Sequence, residues 1–465
     1  MKASNQSIVK LRAWLERSKQ EAEVTLLWSG GYEDVYGAMQ GMCGWGVKHR
    51  KEGWEQFAGS ELDPNELWMA RVSYDLKNQW GHGLHSAHKV FGDVPSFEMI
   101  APQEWQAISC DGGCVEDLEG FRAIIGGCER RIEEQWLGLN GLSAEWDGVL
   151  KKKRQQLLKE NSESSVLDNG VDMNSQQQNA EAKAVIAWKS DVTEAEYLDC
   201  IAQIQQHIVE GDFYELNYCI SFTAEDVALD PYRVFEVMAQ VAPAPMMCFV
   251  KRGDHFLLSA SMERYLLKRG DFLLSQPIKG TIRNAGASPE ILAKELANSE
   301  KDRAENVMIV DLVRNDLSRV CEAGTVKVTE LCGIYEYPQV LQMISTVIGK
   351  CKPETGLRNC LENTFPMGSM TGAPKIEVMH HIEKIEKFSR GWYSGAIGWV
   401  LGDDFDLNVV IRGVQYLQSK QQLQYAVGGA ITIDSDSQLE YEECMAKASA
   451  MLKSLEASGY QSEIV

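Results

Sequence analysis

From residue 193 onward, short apolar segments of strand length alternate with amphipathic helical segments in an irregular order. A doubly wound parallel sheet would need a regular alternation of strand and helix, which this order lacks. The sequence therefore predicts an α+β fold whose strands are mainly antiparallel. Strands are expected at 213–222, 246–251, 256–261, 272–276, 325–331, 338–348, 393–401, 405–416 and 423–432, and helices at 193–210, 230–240, 288–298, 300–317 and 437–456.

A polar segment separates this pattern from the N-terminal part of the chain. Residues 161–182 contain almost no large apolar side chains, which is typical of an exposed linker. Before them, a helix is expected at 8–22, strands at 23–28 and 67–76, and charged helical sequence at 115–160. We therefore expect an N-terminal region over 1–160, a linker over 161–182 and a second domain over 183–465.

Composition excludes several classes of partner. The net charge of -21 disfavours nucleic acid and anionic membrane surfaces. No apolar run approaches the ~18 residues of a membrane-spanning helix, and the N-terminus lacks the apolar core of a signal peptide. The 12 cysteines are scattered without metal-site spacing, as expected for reduced thiols. The sequence predicts a cytoplasmic protein with no nucleic-acid or membrane partner.

Lys279 is a candidate nucleophile within the segment Ser-Gln-Pro-Ile-Lys-Gly-Thr, residues 275–281. It follows strand-forming residues and precedes Gly280, which permits a tight turn. Partial burial at such a place would lower the pKa of the amine and make it nucleophilic. An ordinary turn lysine is the alternative interpretation. Glu263, in Leu-Ser-Ala-Ser-Met-Glu-Arg, is a candidate acid beside it.

Two pairs of carboxylates lie on predicted helices. Asp302 and Glu305 are three residues apart, and so are Glu440 and Glu443, so each pair lies on one helical face. Two such faces brought together would form an oxygen-ligand site suited to Mg²⁺. The alternative is two solvated helix faces.

Glycine-rich segments provide candidate anion sites. Residues 364–375 form a glycine-rich loop that leads into a helix with Pro374 as its first residue, and such a loop presents backbone N–H groups to an anion. Residues 427–430 are expected to form a second tight turn. Arg412 ends an apolar strand, where it can hold a carboxylate through two hydrogen bonds.

These segments, taken in order, resemble the chorismate-binding enzymes over roughly residues 190–455. The family includes the first components of anthranilate synthase and aminodeoxychorismate synthase, isochorismate synthases and salicylate synthases. The resemblance implies a two-lobed core of mainly antiparallel β-sheets surrounded by helices. Within the family, Pro-Ile-Lys-Gly-Thr is similar to the aminodeoxychorismate synthase version, whereas anthranilate synthases usually carry alanine at the position of Lys279. The segments are SAS-x-ER, QPIKGT, KDRAENVMIVDLVRNDL, FPMGSMTGAPKIEVM, YSGAIGW and GGAITIDSDSQLEYEECMAKA.

The resemblance implies Mg²⁺-dependent amination of chorismate to 4-amino-4-deoxychorismate, on the route to p-aminobenzoate and folate. Lys279 would add to C2 of the ring while the C4 hydroxyl leaves with help from Glu263, and ammonia would then enter at C4. Glu305 and Glu443 would hold the metal directly, and Asp302 and Glu440 would act through metal-bound water. Residues implied in substrate binding are Thr371, Gly372, Lys375, Tyr393, Arg412, Gly428, Gly429 and Ala430.

The chain lacks an amidotransferase triad, so a separate glutaminase subunit is expected to supply the ammonia. Two positions depart from the family pattern. Glu215 stands where aminating members usually have Gln and hydrating members have Lys, which disfavours hydration. Gln342 replaces the usual His and cannot titrate. The alternative activities are anthranilate formation with release of pyruvate and, further off, a non-catalytic subunit that binds a small acid.

Overall fold

A computed structural model describes residues 5–29, 39–58, 62–80, 84, 88, 90–109, 114–138, 185–284, 288–353 and 355–464. The predicted linker at 161–182 lies outside the described residues, as does the expected helical sequence after 138. The proposed division at this linker therefore stays a prediction. Strands from both sides of it pair within the same sheets, because Glu23–Trp28 pairs with Met247–Arg252 and Leu67–Val72 pairs with Ala396–Leu401.

The first sheet has twelve strands among the described residues and is antiparallel except for the pairing of its strands β22 and β8. Its spatial order is β22-β8-β9-β21-β20-β11-β10-β1-β2-β6-β7, with β17 added on β9. The strands are β1 (Glu23–Trp28), β2 (Met39–Trp45), β6 (Glu104–Ser109), β7 (Cys114–Val115), β8 (Val185–Ser190), β9 (Glu215–Ala224), β10 (Met247–Arg252), β11 (His255–Ser259), β17 (Gly372–Ala373), β20 (Gly413–Leu417), β21 (Gln422–Ile431) and β22 (Gln461–Ile464).

The second sheet has ten described strands, all antiparallel. Its order is β14-β16-β13-β12-β19-β18-β4-β5-β3, with β15 paired to β16. The strands are β3 (His49–Glu52), β4 (Leu67–Val72), β5 (Phe97–Ala101), β12 (Arg264–Arg269), β13 (Phe272–Gln276), β14 (Ile278–Arg283), β15 (Lys327–Glu336), β16 (Val340–Lys350), β18 (Ala396–Leu401) and β19 (Asp404–Asn408).

The helices cover the two sheets and begin where the sequence provides caps. The helix predicted at 193–210 is confirmed, and Thr193 and Glu196 form its capping box. Asp230 and Asp436 cap two further helices, and Ser299 caps the long helix that carries Asp302. The helices are α1 (Asn5–Ser18), α2 (Trp54–Ala58), α3 (Leu118–Gly138), α4 (Glu194–Glu210), α5 (Pro231–Val241), α6 (Pro289–Asn298), α7 (Glu300–Val320), α8 (Leu357–Thr364), α9 (Lys375–Ile385) and α10 (Ser437–Ala457).

The two sheets pack face to face, with helices outside. Apolar side chains of β10 and β11, such as Val250 and Leu257, meet Ile397 of β18 in one buried cluster. Helices α1, α4, α5 and α10 bury their apolar faces against the first sheet, while α7 and α8 cover the second. This arrangement confirms the predicted α+β fold with a two-sheet core. Among the described residues, no helix combines the length and the apolar character needed to cross a membrane.

Two sequence expectations about strands are wrong. The single strand expected at 405–416 is two strands, β19 and β20, which belong to different sheets. The chain crosses from one sheet to the other at 409–412, where Arg412 has a positive φ of 50°. The apolar run from Val409 to Ile411 hid this crossing, because Val409 and Val410 are buried and Ile411 is half-buried there. The chain makes the reverse crossing between β11 and β12, at 260–263.

The tight turn expected at 427–430 is also wrong, because these residues lie inside β21. Gly428 is opposite Cys219 of β9, and Gly429 is opposite Tyr218. A Cβ atom on Gly428 would lie 2.4 Å from the carbonyl oxygen of Tyr218 and 2.5 Å from the sulfur of Cys219. Gly428 is needed for close packing along β9, and neither glycine marks a change of chain direction.

We predict that Gly428→Ala lowers the free energy of unfolding by about 1–3 kcal/mol, because the added methyl group forces β9 and β21 apart. The matched control is Gly126→Ala on α3, where an added Cβ would meet nothing within 4 Å. The control should raise the free energy of unfolding by roughly 0.4–1 kcal/mol through the unfolded state. Urea unfolding measures both. Wild-type stability in Gly428→Ala would contradict the packing argument.

Candidate active site

Lys279 forms an ion pair across the two sheets. It lies on β14 of the second sheet, and its Nζ atom is 2.9 Å from Oε1 of Glu215, the first residue of β9 in the first sheet. The side chains are 10% and 1% exposed. The other oxygen of Glu215, Oε2, is buried without a hydrogen-bond partner among the described residues. This buried acceptor can take a hydrogen bond from a ligand.

The backbone around Lys279 is a strand irregularity, so the expected tight turn is wrong. The register between β14 and β16 shifts between Ile278 and Thr281. Gly280 has a φ of 92°, and a Cβ atom there would lie 3.0 Å from Cβ of Asp302. Glycine therefore allows α7 to approach the strand closely. Asn306, fully buried on α7, donates a hydrogen bond of 3.3 Å to the carbonyl oxygen of Lys279.

The expected lowering of the Lys279 pKa is wrong. Burial does act to lower it, but the charges of Glu215 and Glu305 and the hydrogen bond to Glu215 outweigh burial and raise the pKa above its ordinary value. The amine is therefore held as an ammonium ion in the ligand-free protein. It becomes a nucleophile only when a proton passes to a neighbouring group.

Glu263 is a buried acid at the crossing between β11 and β12. Its Oε1 atom accepts a hydrogen bond of 2.6 Å from the hydroxyl of Ser369. Burial raises the pKa of Glu263 to about 7, against the opposing effects of the Ser369 hydrogen bond and the charge of Lys279. A carboxyl group that is partly protonated at neutral pH suits a general acid.

The two predicted carboxylate faces meet beside Lys301. Its Nζ atom is 3.0 Å from Oε1 of Glu440 on α10 and 3.9 Å from Oε1 of Glu305 on α7. Burial raises the pKa of Glu305 to about 6, although Lys279 and Lys301 oppose this shift. Glu443 lies one turn from Glu440 and pairs with Lys447 at 2.9 Å. The charge of Lys447 lowers the pKa of Glu443.

Asp302 shares the face of α7 with Glu305 and packs against Gly280. The four carboxylates therefore come from two helices, and Glu305 and Glu440 flank the exposed Lys301. Their oxygens are donors of the kind that Mg²⁺ takes in proteins.

The glycine-rich loop and β21 flank the strand that carries Glu215. Gly372 pairs with Leu216, and the carbonyl oxygen of Thr371 accepts a hydrogen bond of 2.7 Å from the amide of Asn217. On the other side of β9, Gly428, Gly429 and Ala430 pair with Cys219, Tyr218 and Asn217. These candidate substrate-binding residues therefore lie on both sides of the strand that carries Glu215. Pro374 is the N-cap residue, and α9 begins at Lys375, one residue later than expected.

Arg412 lies where the chain crosses between the sheets, and Tyr393 lies shortly before β18. Within the described residues, the guanidinium of Arg412 forms no ion pair and no side-chain hydrogen bond, so it remains available for a carboxylate. The hydroxyl of Tyr393 is 3.8 Å from the sulfur of Cys219, which donates to it.

Lys375 belongs to a different group of side chains. Its Nζ atom donates to Oδ2 of Asp316 at 2.5 Å and to the carbonyl oxygen of Thr364 at 2.8 Å. It lines a cavity of about 1040 Å³ with Asp316 and Tyr214, and this lining includes neither Lys279 nor Glu263. The side-chain amine of Lys375 is thus engaged by Asp316 and Thr364.

Sequence reasoning missed three residues that shape the site. Ser369 holds Glu263, Asn306 holds the backbone of Lys279, and Lys301 joins the carboxylates of α7 and α10. Ser369 lies in the glycine-rich loop and Asn306 directly follows Glu305. Both residues lie in segments that the sequence had already singled out. A single serine or asparagine, however, forms no hydrophobic or charge pattern that would identify it as part of a site.

Curated relatives match the C-terminal part of the chain. The aminodeoxychorismate synthase of Streptomyces griseus is 42% identical over 268 residues, which is 56% of this chain and 36% of that protein. The aminodeoxychorismate synthase component 1 of Bacillus subtilis is 36% identical over 276 residues, 58% of each chain. An anthranilate synthase component 1 of Haloarcula marismortui is 36% identical over 285 residues, 60% of this chain and 56% of that protein. The chain thus spans between a third and three fifths of these relatives' lengths.

Solved structures share the whole fold. The anthranilate synthase component I of Streptococcus pneumoniae has a TM-score of 0.62 at 22% identity, over 92% of this chain and 89% of that one. The menaquinone-specific isochorismate synthase of Escherichia coli has a TM-score of 0.68 at 13% identity, over 96% and 91%. The family model for chorismate binding enzymes matches residues 33–453. The chain belongs to the chorismate-binding enzyme family.

Proposed function

We propose that the chain catalyses the Mg²⁺-dependent amination of chorismate at C4, which yields 4-amino-4-deoxychorismate. The observation that carries this proposal is the buried Lys279, 2.9 Å from Glu215 and influenced by the charge of the buried acid Glu263. A lysine so placed supplies a nucleophile, and the two carboxyl groups supply a proton acceptor and a proton donor. The names of two curated relatives support the same activity.

The proposed reaction has two displacement steps. Glu215 takes a proton from the Lys279 ammonium through their hydrogen bond, and the amine adds to C2 of the ring. Both ring double bonds shift as the C4 hydroxyl leaves, and Glu263 gives that hydroxyl its proton, so that water is released. Ammonia then adds at C4, both double bonds shift back, and the C2–nitrogen bond to Lys279 breaks. The pyruvyl ether of the substrate is retained.

The charges of the site suit a dication. Glu305 and Glu440 already share the single ammonium of Lys301, and burial raises the pKa of Glu305 because the charges of Lys279 and Lys301 do not offset it. We infer that Glu305 and Glu443 hold Mg²⁺, with Asp302 and Glu440 acting through water. When bound, the ion would neutralise the ring carboxylate of the substrate.

The remaining carboxylate of the substrate has an available cation in Arg412. Backbone groups along Thr371, Gly372 and Gly428–Ala430 lie next to Glu215 and are proposed to complete the substrate pocket. Lys375, paired with Asp316, is proposed to hold the glycine-rich loop and not to contact the substrate. Ammonia is proposed to come from a separate glutaminase subunit.

We predict that Glu305→Gln lowers turnover on the order of 100-fold or more, because an anionic metal ligand is lost. The control is Glu300→Gln, an exposed residue in the first turn of the same helix. Turnover of chorismate is measured at increasing Mg²⁺ concentration, with and without EDTA. Unchanged turnover in excess EDTA would rule out the metal.

Glu263 gives the reaction a predicted pH dependence. Its pKa is raised to about 7, and a general acid must be protonated to act, so kcat/KM should fall as the pH rises through about 7. Glu263→Gln should be slower by about 10²- to 10⁴-fold and should lose this alkaline decline. A wild-type decline that persists unchanged in the variant would assign it to another group.

The product tests the role of Lys279. With chorismate, Mg²⁺ and ammonium salt, the expected product is 4-amino-4-deoxychorismate. With ammonia left out, intact-mass analysis after acid quenching should show wild-type chain carrying chorismate less one water. Lys279→Ala should show neither, whereas exposed Lys420→Ala should behave as wild type. Anthranilate and pyruvate as the main wild-type products would establish the alternative activity and disprove the proposal.

A further inference from the structure

Two imidazoles and a carboxylate cluster at a place that the proposed reaction does not use. His207 lies in the last turn of α4, Asp212 follows that helix, and His381 lies on α9. Their ligand atoms all lie within 4.8 Å of one another. The distance from Nδ1 of His207 to Oδ2 of Asp212 is 2.8 Å, and that from Nε2 of His381 to the same oxygen is 4.0 Å.

We propose that His207, Asp212 and His381 form a binding site for a divalent transition-metal ion such as Zn²⁺. Bonds of about 2.0–2.1 Å in a tetrahedral site place neighbouring ligand atoms roughly 3.3 Å apart, and the observed separations bracket that value. Imidazole nitrogen favours Zn²⁺, Cu²⁺ and Ni²⁺, whereas Mg²⁺ and Ca²⁺ favour oxygen ligands. The site is therefore chemically distinct from the carboxylates around Lys301.

A further carboxylate lies next to His381 on α9, outside the group of three. Oε1 of Glu377 lies 3.3 Å from Nε2 of His381, one helical turn earlier. The two imidazole rings are held with their centroids 4.4 Å apart, and Phe213 packs 4.9 Å from the ring of His381.

The site joins two segments that reach the Lys279 region. Asp212 lies three residues before Glu215, and α9 begins directly after the glycine-rich loop. The amide of Tyr214 already donates a hydrogen bond of 2.8 Å to the carbonyl oxygen of Ala373. A bound ion would form a second link between the same two segments. Its expected role is to stabilise the folded chain, because it binds the folded arrangement and not the separated ligands.

The test measures Zn²⁺ binding by equilibrium dialysis in excess Mg²⁺, which occupies the oxygen-ligand site without competing for imidazole. The wild type should bind one more ion per chain than His207→Ala/His381→Ala, and Zn²⁺ should raise its Tm but not that of the variant. His380→Ala, which removes the adjacent histidine of α9, should bind as the wild type does.

Spectroscopy of the Co²⁺ form gives a second readout. A visible absorption band of tetrahedral Co²⁺ should form in the wild type and be lost in the double variant. Asp212→Asn changes a partly exposed residue, keeps its size and should weaken Zn²⁺ binding at least tenfold even if the double variant does not fold. Equal Zn²⁺ binding by the wild type and Asp212→Asn, together with no added Co²⁺ band in the wild type, would overturn the proposal.

Discussion

The ion pair between Lys279 and Glu215 connects the two sheets, and the candidate active site depends on it. Taking two charges out of water costs several kcal/mol for each ion, and pairing at 2.9 Å offsets that cost. Removing one partner would leave an uncompensated buried charge, at a cost of about 3–5 kcal/mol. This ion pair therefore holds the start of β9 opposite the irregular part of β14, because either charge left alone would be strongly destabilising. Glu263 and Glu305 surround that same ammonium.

Carboxylates outnumber cations around this pair, and burial and the neighbouring charges together set the pKa directions. Glu263 and Glu305 have raised pKa values chiefly because they are buried, and Lys279 has a raised pKa because the carboxylates outweigh its burial. A dianionic substrate would meet a repulsive site in a chain of net charge -21 unless a cation entered with it. The proposed Mg²⁺ and Arg412 together would supply charge of the required sign. The proposed metal would therefore add positive charge that the lysines of the site do not supply.

Local signals in the sequence were sufficient for most elements and for the carboxylate faces. Thr193 with Glu196 marked the start of α4, and the three-residue spacing of Asp302 and Glu305 correctly placed both on one helical face. The crossing at 409–412 and the strand position of Gly428 could not be predicted from local sequence. Both depend on which strands these residues pair with, and those strands are distant in sequence. The protonation of Lys279 also depends on Glu215, which is 64 residues away in sequence. The periodicity of apolar residues predicts which side chains are buried, but it does not predict which charged side chains will be neighbours in the folded chain.

The position of Glu215 is set in turn by a buried guanidinium that does not belong to the reacting group. Arg390 is paired with Glu386 at 2.6 Å, and it donates 2.6 Å and 2.9 Å hydrogen bonds to the carbonyl oxygens of Met370 and Asn217. The first oxygen precedes Thr371 in the glycine-rich loop, and the second lies two residues after Glu215 on β9. One planar, permanently charged group thus fixes the loop and the strand relative to each other, with donors in a rigid geometry that lysine could not reproduce. A fully satisfied buried network allows few alternative arrangements. The rigidity of the site therefore comes from the hydrogen bonds of Arg390 and not from the reacting residues themselves.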